Sequence, residues 1–395
     1  MQVGTAKEVE GAVTRGRLPL LQLPTGDQVS TPVIIASGKH PGPTLLLTSN
    51  IHGNEVTGIL VIHRLIESID LANFHGKIVC LTSLNPTGLI SDVRCPTYLP
   101  DKDPNRCWPD FRPKSEKKTK SLNYEKDALA SYLERVDATK NISERAYQKL
   151  ADLFKNVIKP DYHCDLHCWG NQSFPFVFMD RIFYDDTVPN ALEESQKLFE
   201  KTTEFVHSLG LTVVRECPAW KYIEEKLHRS VSGYTLSGMR IPACTIELGP
   251  NSDVLPQYRD AGVDALTNLL IYTTMIREER NENNESKAPQ YRKITKVPVI
   301  HTDVPYRYLE YPQTPVSGII DWVKFPGDFF SVGDVLAKVR NLDGEVLATI
   351  TSEIDGFVVA FWGGIVVDEG ASLGIVGVKD NDTPVLVPWS SLEEK

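Results

Sequence analysis

The sequence predicts an α/β domain followed by a smaller, all-β region. Up to about residue 280, short apolar or β-branched runs of buried-strand length recur, and amphipathic stretches of helical spacing separate them. Beyond a charged, amide-rich segment the pattern changes to short strands punctuated by glycine turns.

The strand-like runs, in order, are PVIIAS, TLLLTSNI, KIVCLTSL, DYHCDLH, FPFVFM, LTVVRE and PACTIEL. Between them, Ala146, Leu150, Leu153, Phe154, Val157 and Ile158 recur at three- and four-residue intervals over 143–159. Ser143 is placed as an N-cap there, and Pro160 lies just past the end. A second helical stretch, ALEESQKLFEKTTEFVHSLG, stops at Gly210. Such alternation predicts a largely buried sheet with functional groups gathered at the carboxyl ends of strands. The segment REERNENNESKAPQ, 277–290, reads as a linker. The chain therefore divides into a domain over 1–280, a linker over 281–290 and a β-rich domain over 291–395.

With 395 residues, 41% hydrophobic and 24% charged, the chain can bury a sizeable core. Its net charge of -10 argues against general affinity for nucleic acid or anionic membranes. The dense basic run KSEKKTK near Lys114 lacks the aromatic interleaving of single-strand binders and reads as a solvated loop. No continuous apolar stretch reaches signal-peptide or membrane-span length, so a cytoplasmic location is expected. The seven cysteines, an odd number scattered along the chain, suit a reducing compartment better than a disulfide framework. Cys164 and Cys168 flank DLH, but no second close pair completes a structural zinc set.

The chemistry concentrates in a few stretches. NIHGNEVTG carries His52 and Glu55 at a strand-to-helix corner, where three-residue spacing sets both on one side of the first helical turn and Gly53 allows a tight bend. Imidazole nitrogen beside carboxylate oxygen is what zinc binds, and a catalytic site needs a third protein ligand and an open position for water. His167, at the end of DYHCDLH, is the candidate third ligand. Glu247 ends the apolar strand PACTIEL, where a buried carboxylate is costly unless it is paired, near a metal or used to carry protons. The proline-rich loop DVRCPTYLPDKDPNRCWPD brings Arg94, Asp103, Asn105 and Arg106, a source of cationic groups for an oxyanion or a substrate carboxylate.

The ordered set HGNE, SLNPTG, the Arg within DVRC, DPNR, DLH and TIELGP resembles the succinylglutamate desuccinylase and aspartoacylase family, a branch of the zinc-carboxypeptidase fold. The resemblance spans roughly Pro32 to Pro250. It implies a mixed sheet flanked by helices, with one zinc ion per chain held by His52, Glu55 and His167. It also implies that Glu247 activates the metal-bound water, Arg94 polarises the scissile carbonyl, and Asn105 with Arg106 grips a substrate carboxylate. Asp103 would support a metal-binding histidine from behind, a role with its own motive in fixing the ring tautomer.

Two stretches depart from the compact members of the family: the interval between Arg106 and His167 looks longer, and CWGNQSFPFVFMDRIFYDD is strongly aromatic. Both bear on the substrate. The C-terminal region resembles barrel-sandwich carrier domains, but its turn VRNLDGEVLATI offers no lysine to modify, so it reads as a lid or an oligomerisation piece. The resulting expectation is a zinc-dependent hydrolase of the amide bond of a small N-acylated amino acid or related compound, with no nucleic-acid or membrane partner and with a homo-oligomer left open. Its rivals are a metallocarboxypeptidase acting on a peptide-like compound and an inactive binding protein on the same fold.

Overall fold

The structure, a computed structural model, describes residues 1–395 except 24, 113–141, 278, 281–285, 288–289, 363, 382 and 393–395. The basic run near Lys114 and most of the expected linker fall outside the described residues. One large mixed sheet organises the rest. Strands β1 (Ala12–Gln22) and β2 (Gln28–Ser37) form an antiparallel pair. Then come β3 (His40–Ser49), helix α1 (Thr57–Ser68), β4 (His75–Leu81), α2 (Ile142–Leu153) and β5 (Tyr162–His167). They are followed by β6 (Phe176–Met179), α3 (Ala191–Ser208), β7 (Thr212–Arg215), β8 (Ala243–Glu247) and α4 (Pro256–Tyr272). Each of the strand-like runs read from the sequence overlaps one of these strands.

The helices also fall close to expectation. Helix α2 begins at Ile142, so Ser143 lies inside it, and a π-helical turn over Phe154–Ile158 prolongs it to a left-handed Lys159. After α3 the chain turns at Gly210, whose φ of 72° is the left-handed geometry a glycine stop supplies. Strand β1 was not expected from the pattern. It is a sheet edge whose residues are mostly half-buried or exposed, so it shows no continuous apolar run.

Side-chain alternation sorts the core onto two faces. Leu45, Leu47, Ile78 and Cys80 face a cluster with Val61, Ile62, Leu65 and Ile66 of α1 and Leu266 and Leu269 of α4. Leu46, Val79 and Leu81 face the other way, against Tyr147 and Leu150 of α2 with Phe154. The same alternation places Cys164 and Leu166 of β5 in the first cluster, leaving His163, Asp165 and His167 on the opposite face. Cys164 therefore packs in the core, away from the functional face.

The main strands beyond residue 291 are β9 (Tyr306–Glu310), β10 (Gly318–Trp322), β11 (Phe329–Phe330), β12 (Val335–Arg340), β13 (Val346–Thr351), β14 (Gly356–Phe361) and β15 (Gly374–Lys379). The large sheet runs β11, β14, β15, β9, β7, β6, β8, β5, β3, β4, β2, β1. Strands β4, β3, β5 and β8 are mutually parallel, β6 is antiparallel to β8, and β7 and β9 continue parallel to β6. Strands β10, β12 and β13 belong to a second, antiparallel sheet completed by Val366–Val367. The fold is thus a mixed α/β sheet flanked by helices, with antiparallel sheets toward the C-terminus. The large sheet passes without a break into the region beyond residue 291 through the β7–β9 pairing. A buried ion pair, Arg181 to Asp380 at 3.3 Å, ties the same two regions. No helix among the described residues is long and apolar enough to cross a membrane.

Candidate metal centre

The loop after β3 begins with Asn50, whose φ of 55° reverses the chain. An asparagine tolerates this geometry. Its side-chain amide donates to the carbonyls of His52, Gly53 and Glu55 at 3.0, 2.8 and 3.1 Å, which holds the loop from inside. Helix α1 starts only at Thr57, so His52 and Glu55 do not share a helical turn as their spacing suggested. A tight turn joins them instead, closed by the Glu55 amide donating to the His52 carbonyl at 3.1 Å. Gly53 serves close approach: a Cβ there would lie 2.1 Å from the carbonyl carbon of Gly88.

Glu55 bridges the two imidazoles, its Oε1 2.7 Å from His52 Nδ1 and its Oε2 2.8 Å from His167 Nδ1. All three residues are buried, and their ligating atoms lie within 4.8 Å of one another. Behind each ring stands a second carboxylate. Asp103 Oδ1 is 3.1 Å from His52 Nε2, and Asp165 Oδ2 is 2.6 Å from His167 Nε2. The Thr48 hydroxyl donates to the other oxygen of Asp165 at 2.5 Å. Each imidazole is thereby turned so that Nδ1 faces the shared centre, the arrangement in which outer carboxylates orient metal-binding histidines.

The electrostatics favour a cation there. Burial opposes ionisation of Glu55, yet His52 and His167 hold its carboxyl well below the usual range. Burial likewise opposes charge on Asp103 and Asp165, and their histidine partners outweigh it. For His167, burial disfavours the charged ring, but Asp165 and Glu55 hold its pKa well above the ordinary imidazole value. Three carboxylates around two rings demand positive charge. The donor set, two imidazole nitrogens and a carboxylate with supporting carboxylates behind, suits a divalent transition ion.

Glu247 ends β8 directly beside His167 of β5, its register partner. It is buried, among the described residues its Oε2 has no hydrogen-bond partner, and burial is the main cause that pushes its pKa up to about 8. His167 and Arg94 oppose that rise, while Glu55 and Glu216 add to it. Arg94 bonds Asp103 Oδ2 at 2.8 Å and reaches Glu55 Oε1 at 3.4 Å. Asn105 accepts from the Val231 amide at 2.9 Å, and Arg106 Nη1 donates to the Asn105 carbonyl at 3.0 Å. Among the described residues no carboxylate comes within 4.0 Å of the Arg106 guanidinium. His52, Glu55, His167, Glu247, Arg94, Asn105 and Arg106 all line one cavity of about 420 Å³, with Asp103 just behind His52.

Sequence reasoning missed several groups. Asp165 had a usable signal, since it lies two residues before His167 on a strand and so on the same face. Asp180, Glu216, Tyr308 and Trp362 also line the cavity, and they converge on it only through the sheet order.

A mixed α/β sheet thus gathers two histidines and a glutamate at the carboxyl ends of its parallel strands, a donor set that could hold a metal ion. The chain belongs to the succinylglutamate desuccinylase/aspartoacylase family, whose catalytic-domain profile matches residues 41–273. Members of that family are deacylating hydrolases, and the chain is a hydrolase of that type. Among solved structures it is similar to a succinylglutamate desuccinylase from Silicibacter, with a TM-score of 0.65 and 15% identity over 96% of this chain and 100% of that one. An aspartoacylase family protein from Mesorhizobium loti gives 0.65 and 17% over 97% and 100%. The product-bound ectoine utilization protein EutE (DoeB) from Ruegeria pomeroyi gives 0.64 and 17% over 96% and 100%. At such identities the likeness is one of fold. No curated protein matches the chain by sequence.

Proposed function

We propose that the protein is a zinc-dependent hydrolase that cleaves the amide bond of a small N-acylated amino acid or related compound. The observation that carries this reading is the pairing of a supported His52–Glu55–His167 donor set with an adjacent buried carboxylate, Glu247, that keeps one oxygen free. Bound there, zinc would supply Lewis-acid polarisation and a water acidic enough to act near neutral pH.

The protein's own residues supply the rest. Glu247 takes a proton on its free Oε2 and returns it to the departing amine, a task that a carboxyl with a raised pKa performs well. Arg94, held at the cavity wall by Asp103, directs its remaining donors toward the oxygen of the scissile carbonyl. Asn105 and Arg106, whose guanidinium meets no carboxylate among the described residues, hold a substrate carboxylate. No covalent intermediate is required. The seven cysteines are all free, which suits a cytoplasmic setting.

The test combines metal analysis with one substitution. Protein purified without chelator is expected to hold about one zinc per chain and to release free amino acid and carboxylic acid from a panel of N-acyl amino acids, read by mass spectrometry. Glu247→Gln is expected to keep the zinc and lose at least about 100-fold in turnover. Undiminished activity in metal-free protein, or loss of metal in the variant, would overturn these assignments.

A further inference from the structure

The cavity continues past the metal centre along the sheet face, and its chemistry there changes. Because β6 runs antiparallel to β8, Asp180, just after β6, lies level with the start of β8 rather than with Glu247 at its end. Met179 pairs with Arg215, and Arg215 with Arg307, so Asp180, Glu216 and Tyr308 form a row across three neighbouring parallel strands. Neighbours in such a row stand about 5 Å apart. Phe178 and Thr245, register partners, cover the interval between this row and the metal end.

The row holds two buried carboxylates without a cation. Asp180 is 3% exposed; Tyr222 donates to its Oδ1 at 2.6 Å, and among the described residues its Oδ2 has no hydrogen-bond partner. Glu216 is 8% exposed and, among the described residues, accepts only from the Cys217 amide at 3.3 Å. Among the described residues no lysine, arginine or histidine nitrogen approaches either within 4.0 Å. Nearby cations are engaged elsewhere or stand off. Lys221 lies 3.4 Å from Glu310 and over the Tyr308 ring at 5.7 Å, and Arg181 pairs with Asp380. Arg106 acts on both carboxylates only through space. The aromatic rings of Trp169 and Phe178, 5.3 Å apart, wall the same stretch of the cavity.

Buried acceptors aimed into a cavity mark where a ligand completes the hydrogen bonding. Two carboxylates against an aromatic wall select a positive charge. We infer that this row is a subsite for a cationic group, a primary ammonium or guanidinium carried by the substrate, seated on Asp180 and Glu216 while the scissile amide lies at the metal end. Four residues of strand separate the row from the level of Glu247, because Phe176 pairs with Glu247 and Asp180 follows four residues later. That is about 13 Å between backbone levels, a span shared between the Asp180 and Glu216 side chains that line the cavity and a basic side chain of about four carbons or more on the substrate. With the Arg106 guanidinium clear of carboxylates among the described residues, the site fits an N-acylated basic amino acid. This inference rests on the proposed hydrolase reading for the bond cleaved, but not for the binding itself.

The test is designed to keep the two apart. Titration calorimetry of L-lysine, L-norleucine and L-glutamate into the zinc-loaded full chain reads binding without turnover. Lysine is expected to bind at least about tenfold more tightly than norleucine, the scale of one charge-assisted contact, and glutamate more weakly than either. In Asp180→Asn and, independently, Glu216→Gln, the lysine advantage is expected to shrink to about threefold or less. Norleucine binding should stay within the same factor. Equal binding of lysine and norleucine by the unaltered protein, no binding of lysine, or an advantage that survives in both variants would overturn the inference. Kinetics with Nα-acetyl-L-lysine and Nα-acetyl-L-norleucine then address the reaction. Lysine binding without cleavage of either compound would sustain the subsite and remove the proposed activity.

Discussion

The two ends of the cavity solve the problem of buried charge in opposite ways. At the metal end each charged group has a partner: Glu55 touches both histidines, and each histidine is backed by a carboxylate at 2.6 or 3.1 Å. At the other end Asp180 and Glu216 stand side by side without a cation, and burial raises both, Asp180 to about 6 and Glu216 to about 8. A charged group already engaged is fixed in direction, whereas one left unengaged keeps its interaction energy for a ligand. Glu247 lies between these regimes, beside His167 but with an oxygen that has no partner among the described residues, as a group that must gain and lose a proton requires.

The largest effect is expected from removing the shared sheet. A chain ending at residue 290 loses β9, which uncovers the edge of β7 and the side of Phe178 that packs against Tyr308. It also removes Phe357, Val359 and Ile375 from a common apolar cluster with Phe176 and Val214. Such a fragment is expected to aggregate or to melt without cooperativity, because an open strand edge beside exposed apolar surface associates. A soluble fragment with a cooperative thermal transition would show that the region beyond residue 290 is separable from the sheet that carries both ends of the cavity.

A smaller effect compares the two carboxylates behind the histidines. Asp165 is fully buried and 2.6 Å from its ring, whereas the Asp103 side chain is 26% exposed and 3.1 Å away. Replacing either by Asn should weaken metal binding by about 10- to 100-fold, with Asp165→Asn the more severe. Competition against a fluorescent zinc chelator measures both. Equal losses would mean that burial does not set the strength of this support.

The smallest effect is a pH dependence of stability. In the unfolded chain Glu216 titrates near its ordinary 4.5, and in the folded protein burial pushes it up to about 8. Between those values the folded state binds more protons than the unfolded one, so this residue makes stability fall as pH rises across that window. Glu216→Gln cannot ionise and should flatten the decline, gaining a melting-temperature advantage of about 2 °C at pH 8 that vanishes near pH 4.5. Scanning calorimetry of both proteins across this range checks the sign. A variant that loses stability at pH 8 would show Glu216 to be satisfied in the folded state.

Local chemistry made much of this protein readable from its sequence. Apolar runs bounded by turns mark the buried central strands, because strands covered on both faces must be apolar along their length. His52, Glu55, His167 and Glu247 stood out because polar groups at the ends of such runs are costly without a purpose. Edge strand β1 escaped, since a half-exposed strand needs no apolar run. The tight turn that joins His52 to Glu55 was read as helix, because a three-residue spacing fits both. What the tertiary structure decided is which distant segments meet. Asp180, Glu216, Tyr308 and Trp362 share a cavity with the histidines only because β6 reverses direction and β9 joins the same sheet. Strand order and direction depend on long-range pairing and packing, and no single segment of sequence carries that information.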